Sequence, residues 1–298
     1  MDEILVIDIG GTKTNVSFVE SNGSEIKILS SDIFPTNLKP DLQVQKISSL
    51  YLEKSQKASS MSLSLPGLWD KNGILLESSN LSDWKNYPFI SNLKNALNIK
   101  DCIWETDVLC GAIGEYHMQS ETCHGKSLLY LNLGTGIGAA FIKDGKPFKS
   151  DSKDMPRHVP TLRMQKMLVP EQGELISAVD LICGNGILKD TPYSSVEKLF
   201  ADYKSGNIEV FEIISKAQLQ LAAWLINLFY LFAPEVIVLN GGLTYDWEVI
   251  CEEAIDIANE ELNGQVKILP SKLKEMAPIY GAYLNQCREK SRLFPTAM

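Results

Sequence analysis

Three glycine turns and two aspartates are the residues of this sequence whose types and spacing could do chemistry. Asp8 sits near the end of the apolar run ILVIDIG and leads into Gly10, Gly11, Thr12 and Lys13. Gly134, Thr135 and Gly136 follow a second apolar run, LLYLNL, and Gly241 and Gly242 follow a third, EVIVLN. Glycine permits backbone geometry that turns several N–H groups toward one point, and its bare face lets phosphate oxygens approach. An ordinary tight turn explains any one of these stretches alone. Two matched tips and a third loop together favour an anion-binding set. Asp107 lies between the strand-like CIWE and the helix-like VLCGAIGEYHM, where a helix N-terminus favours the ionised carboxylate. Such a group can take a proton as a general base, and Asp is equally at home as an N-cap; the residue alone leaves both open. Asp8 in turn could simply cap its turn.

Two phosphate-binding patterns fail on context. GTGIGA, residues 134–139, fits the dinucleotide fingerprint G-x-G-x-x-G/A, but that motif needs a helix directly after it and the next residues, AAFIKDGKPF, are strand-like. No GxxxxGK[ST] is present. The net charge of −9 argues against nucleic acid as partner, because Lys and Arg supply most affinity for its phosphates. The six cysteines are dispersed with no CxxC pair, which reads as buried, reduced thiols. The apolar run LQLAAWLINLFYLF is interrupted by polar residues and falls short of a membrane span, so it reads as a core helix with no membrane partner. The N-terminus has no basic leader and enters a strand at once, so cytoplasm is the expected location.

The elements that must hold these residues alternate between strand and helix. The first hundred residues predict strands at 4–9, 15–20, 25–29 and 60–65, helices near 41–57 and 89–97, and a strand at 102–105. The second half predicts a helix from Asp107, strands at 127–133, 139–142 and 235–239, an irregular stretch over about 150–192, and helices across 194–232, 248–262 and 278–290. LVIDIGGTKTNVSFVESNG and LYLNLGTGIGAAFIKDG repeat one pattern, with Asp8 opposite Asn132 and Gly10 opposite Gly134. Two related α/β halves facing one ligand account for that echo.

DIGGTKTNV, LNLGTGIGAAF and VIVLNGGL, in this order, resemble the two phosphate motifs and the adenosine motif of the actin-like ATPase superfamily, most closely its ROK group of bacterial sugar kinases and repressors. SLPGLWDKNGILLESSNLSDW resembles that group's PG turn and sugar-side loop, and the likeness continues through ETDVLCGAIGE to APIYGAYL. The resemblance implies an α/β fold of two ribonuclease-H-like domains flanking an active-site cleft. Domain boundaries are expected at 1–106 with a C-terminal helix at about 284–298, and at 107–283.

It also implies ATP and Mg²⁺ as cofactors and a sugar hydroxyl as phosphoryl acceptor, a hexokinase- or glucokinase-type reaction with glucose or a related hexose as default. Asp107 would be the catalytic base. Asp8 would face Mg²⁺ through water, and Gly10, Gly11, Thr12, Lys13, Gly134, Thr135, Gly136, Gly241 and Gly242 would hold the nucleotide. Sugar contacts would come from Pro66, Gly67, Asn80, Thr106, Asp107 and His158. Departures from the family fall on the sugar side: Thr106 stands where an Asn usually precedes the base, and Met155 where a Glu usually partners the histidine. Asp180 and Glu174 are candidates to replace another family sugar-binding Glu. The cysteine-rich zinc segment is missing, so no zinc site is expected. A catalytically weakened sugar-sensing regulator of the same family is the alternative, and a homodimer is common among relatives.

Overall fold

A computed structural model describes residues 3–21, 26–54, 57–78, 80–134, 136–149, 163–165 and 175–293. Two compact units divide the chain, Met1–Gly114 with Met276–Met298, and Glu115–Glu275.

The first unit is built on a five-stranded sheet. Strands β1 (Ile4–Ile9), β2 (Lys13–Ser21) and β3 (Ile26–Pro35) form an antiparallel meander; β4 (Ser60–Leu65) then pairs parallel with β1, and β5 (Asp101–Thr106) parallel with β4. The two parallel steps need crossovers. Helix α1 (Pro40–Glu53) supplies the first, opening with Pro40 where the missing N–H costs nothing. Helix α2 (Phe89–Leu97) supplies the second and ends on Asn98 in the left-handed region. Leu5, Ile7, Ile47, Met61, Leu63, Trp84, Phe89 and Leu93 close the core with essentially no solvent exposure. Strand β3 runs six residues past its expected end. SSDIFP lacks strong strand propensity, but as an edge strand it needs to satisfy only one neighbour, and β2 supplies the ladder out to Pro35.

The second unit repeats the plan. Strands β6 (Leu128–Leu133), β7 (Ile137–Lys143) and the two-residue β8 (Lys146–Pro147) are antiparallel, after which β9 (Val236–Asn240) pairs parallel with β6 and β10 (Lys267–Pro270) parallel with β9. The spatial order, third-second-first-fourth-fifth, is the same in both sheets. Asp8 pairs across β1–β4 with Ser64, and Asn132 pairs across β6–β9 with Asn240, so the echo in the sequence is an equivalence of position. The long helix α6 (Ile208–Phe232) buries Ile214, Leu221, Trp224, Leu225 and Leu228 in this unit's core.

The unit boundaries fall later along the chain than 106 and earlier than 284. Helix α3 (Asp107–Met118) starts within the first unit, and the C-terminal helix α8 (Ala277–Leu293) belongs there from its first residue. A Cβ on Gly281 would run into the Cys110 carbonyl, so α8 and α3 touch backbone to backbone, and Ser62 Oγ donates to the Ala282 carbonyl at 2.7 Å.

Candidate active site

Parallel register gathers residues of the first unit that are far apart in sequence. Asp8 lies opposite Ser64, Ser64 opposite Glu105, and Leu65 opposite Thr106. The carboxyl ends of β1, β4 and β5 therefore share one edge of the sheet, the edge at which open α/β sheets bind ligands. Asp8, the Pro66-Gly67 turn and Asp107 all leave the sheet there.

Ser64 Oγ donates to Asp8 Oδ1 at 2.5 Å. Burial pushes the Asp8 carboxyl up to about 7, the Ser64 hydrogen bond opposes this, and the Asp107 charge adds to it. Burial likewise raises Asp107 to about 6, against the stabilising donation of the Val108 N–H to Asp107 Oδ1 at 2.8 Å. Among the described residues no basic side chain forms an ion pair with either carboxylate. Two desolvated carboxylates without a cationic partner are a donor set suited to a divalent cation and a mobile proton.

The N-cap of α3 is Thr106, whose Oγ1 accepts from the Leu109 N–H at 3.4 Å. Asp107 is thus the first residue of the helix, and its Oδ1 accepts only from the neighbouring Val108 N–H among the hydrogen bonds of the described residues. The Thr106 hydroxyl only accepts in this bond and keeps its own proton to donate.

The glycine tip of this unit closes with Gly10 N–H donating to the Lys13 carbonyl at 2.8 Å. The Asn80 side chain lies directly over Gly11, where a Cβ would meet Asn80 Cβ at 2.8 Å; the expected sugar-side residue and the expected phosphate tip are therefore neighbours. Thr12 and Lys13 are exposed. Gly67 holds φ +85° and a Cβ there would strike the Glu77 carbonyl, while the Pro66 carbonyl accepts from Trp69 Nε1 at 2.8 Å, so both residues shape the turn.

In the second unit, Gly134 N–H donates to the Gly136 carbonyl at 2.9 Å and Gly184 N–H to the Gly134 carbonyl at 3.0 Å. Gly241, at φ +100°, packs so tightly that a Cβ would come within 2.6 Å of the Leu133 carbonyl carbon. Gly134, Gly136 and Gly242 differ: their φ is not positive and, among the described residues, a Cβ would meet nothing within 4 Å. Neither strain nor crowding by the described residues requires glycine at these three positions. Gly134 and Gly242 line a cavity of about 290 Å³ with Gly184, Asn185, Ser195 and Leu243, near the lower end of small-molecule pockets. A bare-backbone cradle beside a cavity fits a nucleotide's phosphate and nucleoside.

The sequence did not single out Ser64, Gly184, Asn185 or Ser195. Ser64 had a signal, since serine alternates through SMSLSL, a strand buried on both faces. Gly184 and Asn185 come from the stretch expected to be irregular, where the short helix α4 (Gly184–Leu188) forms instead; Ser195 directly precedes α5 (Val196–Lys204), in the stretch expected to be helical. Asp180 is exposed and accepts from Ser177 Oγ. Thr135, Met155, His158 and Glu174 lie outside the described residues. Among those described, no cluster of three or more His, Cys, Asp or Glu is placed to hold a metal, and no helix is long and apolar enough to cross a membrane.

Residues 4–152, half of the chain, match the family model described as the ROK family. The chain belongs to the ROK family. A glucokinase of Thermotoga maritima is 24% identical over 94% of this chain and 96% of its own length. The ROK hexokinase of Thermus thermophilus superposes with a TM-score of 0.80 at 20% identity, covering 97% of this chain and 99% of that one. A ROK glucokinase of Streptomyces griseus, solved with glucose and AMPPNP, superposes with a TM-score of 0.72 at 18% identity over 94% and 97% of the two chains. The fold is accordingly that of the ROK kinases, the ribonuclease-H-like fold of the actin-like ATPases.

Proposed function

We propose that this ROK protein transfers the γ-phosphoryl group of Mg·ATP to a hydroxyl of a hexose, with glucose as the first candidate. It is an enzyme, a sugar kinase. The observation that carries the reading is the state of Asp107: directly after the carboxyl end of a parallel strand, and raised by burial to about 6, it is ionised at neutral pH yet basic enough to take a proton. In the proposed step the sugar hydroxyl passes its proton to the Asp107 carboxylate while its oxygen attacks the γ-phosphorus. The bond to the β–γ bridging oxygen breaks and ADP leaves.

Asp8, held by Ser64, is the residue suited to the magnesium side, through water. Bound magnesium would neutralise charge on the phosphates. The open faces of Gly134, Gly136 and Gly242 are suited to the phosphates, and the cavity beside them to the nucleoside. Asn80 and the turn at Pro66-Gly67 are suited to the sugar. Phosphoryl transfer requires mainly positioning and charge neutralisation, which these groups can provide.

The test is a panel of hexoses, N-acetylhexosamines and β-glucosides with Mg·ATP, followed by ADP release and by mass of the product. A phosphorylated hexose is the expected result. Phosphorylation of none, with sugar binding retained, would replace this reading with that of a sugar-sensing regulator.

A further inference from the structure

The first unit contains a hydrogen-bond chain that begins in the loop expected to hold the sugar and ends at the glycine tip expected to hold phosphate. Trp84 Nε1 donates to the Asn37 carbonyl at 3.1 Å, and the Asn37 N–H donates to Gln43 Oε1 at 2.8 Å. Gln43 Nε2 donates to Thr14 Oγ1 at 2.8 Å, Thr14 and Thr36 share a hydroxyl contact of 2.9 Å, and Thr36 Oγ1 donates to the Gly10 carbonyl at 2.9 Å. Because the Thr36 proton is committed to Gly10, the Thr14 hydroxyl must donate to Thr36. From Gln43 to Gly10 every proton therefore points the same way, an arrangement in which each bond polarises the next.

Gln43 is the residue that needs explaining. It is fully buried on the inner face of α1 beside Val44, Ile47 and Tyr51, where an apolar side chain would fill the space without a desolvation cost. Both ends of its amide are used, one toward each side of the chain. The loop also reaches the tip directly, through Asn80 over Gly11. Trp84 itself is clamped by Phe89, with ring centroids 4.5 Å apart, so its N–H is held in one direction.

We propose that Gln43 is a positioning residue that couples the Asn80–Trp84 loop to the Gly10–Lys13 tip, so that sugar and nucleotide each strengthen the binding of the other. The coupling rests on the assignment of that loop to sugar and that tip to phosphate; the relay itself does not. A sugar that orders the loop would fix Asn37 and, through Gln43 and the two threonines, the Gly10 carbonyl. Reciprocity requires nucleotide at the tip to tighten sugar by the same factor.

Two measurements test this. In the ligand-free protein, amide exchange at Gly10 and Thr36 should speed about tenfold in Trp84→Phe, which removes the Nε1 donor with the pyrrole ring and keeps an aromatic ring beside Phe89, and in Gln43→Met, which removes the amide at nearly constant volume; one lost hydrogen bond is worth about that factor. Unchanged exchange at the tip in both variants overturns the relay, whatever the enzyme phosphorylates. In the second measurement, AMPPNP affinity is titrated with and without saturating sugar. Wild type should bind the nucleotide several-fold more tightly with sugar present, Gln43→Met and Thr36→Val should bring that ratio close to one, and Thr36→Ser should keep it. A Gln43→Met enzyme that retains the wild-type ratio overturns the coupling while leaving the kinase assignment intact. Absence of any phosphorylation by wild type would overturn the kinase assignment, and the exchange result would still decide the relay.

Discussion

Gly241 and Gly242 are adjacent, and alanine at each should do opposite things. At Gly241 the backbone has φ +100°, and a Cβ would stand 2.6 Å from the Leu133 carbonyl carbon where ordinary contact begins at 3.4 Å. The end of β6 would have to yield by roughly an ångström in a close-packed sheet, which by itself costs about 1–3 kcal/mol. The backbone conformation adds about 1–3 kcal/mol more for any residue with a side chain. Gly241→Ala should therefore lower the melting temperature by about 5 to 15 °C. At Gly242 the φ is not positive, a Cβ meets nothing among the described residues, and the residue opens a 3₁₀ turn, Gly242–Asp246. Gly242→Ala should leave the melting temperature within about 2 °C of wild type, as surface substitutions do. Its methyl group would project into the cavity beside Gly134 and keep the nucleotide off the backbone. Losing one or two charge-assisted hydrogen bonds to phosphate should weaken AMPPNP about ten- to a hundredfold by calorimetric titration. Wild-type affinity in a folded Gly242→Ala protein would refute the cradle, and a Gly241→Ala protein as stable as wild type would refute the steric reading of Gly241.

Further predictions concern the charged groups. The carboxyls of Asp8 and Asp107 are raised from an ordinary 3.8 to about 7 and about 6. The ligand-free folded protein therefore binds more protons than the unfolded chain between about pH 4 and 7, and the stability from this source is complete below that window and lost as pH rises through it. Asp107→Asn should accordingly raise the melting temperature at pH 8 and leave it nearly unchanged at pH 4; the reverse order would contradict the burial argument. With sugar and Mg·ATP present, kcat/KM of wild type should fall as pH drops through about 6, as the proposed base becomes protonated. Glu115, fully buried, accepts from Gln119 Nε2, Ser271 Oγ and the Lys272 and Leu273 N–H groups at 2.5–3.1 Å. Glu115→Gln aims an amide N–H₂ at those donors and should cost about 2–4 kcal/mol, read as a lower urea midpoint with unchanged slope.

Much of this architecture was legible because local pattern and global fold agree. The apolar runs at Ile4–Ile9 and Ser60–Leu65 and the helix Phe89–Leu97 have the bounds expected of them, each closed by glycine, proline or a left-handed Asn. The paired hairpins were visible as a repeat, and the common strand order of the two sheets is its structural counterpart. What was not legible depends on partners distant in sequence. Thr106 competes with Asp107 for the helix cap, and only the geometry assigns it that role. Gln43 looks like an interruption of an apolar helix face until Thr14 and Asn37 are placed beside it. The cavity beside Gly134 uses Gly184 and Asn185 from a stretch expected to be irregular, whose glycines mask the short helix Gly184–Leu188. Strand β3 extends through polar residues because β2 offers a ladder that no local propensity records.

The most direct measurement is the rate of hexose phosphorylation by wild type and Asp107→Asn under saturating Mg·ATP, with AMPPNP affinity determined on the same preparations. Removal of a general base should lower kcat by about 10²–10⁴ while nucleotide affinity stays within a few-fold. An Asp107→Asn enzyme that turns over at the wild-type rate would contradict the account.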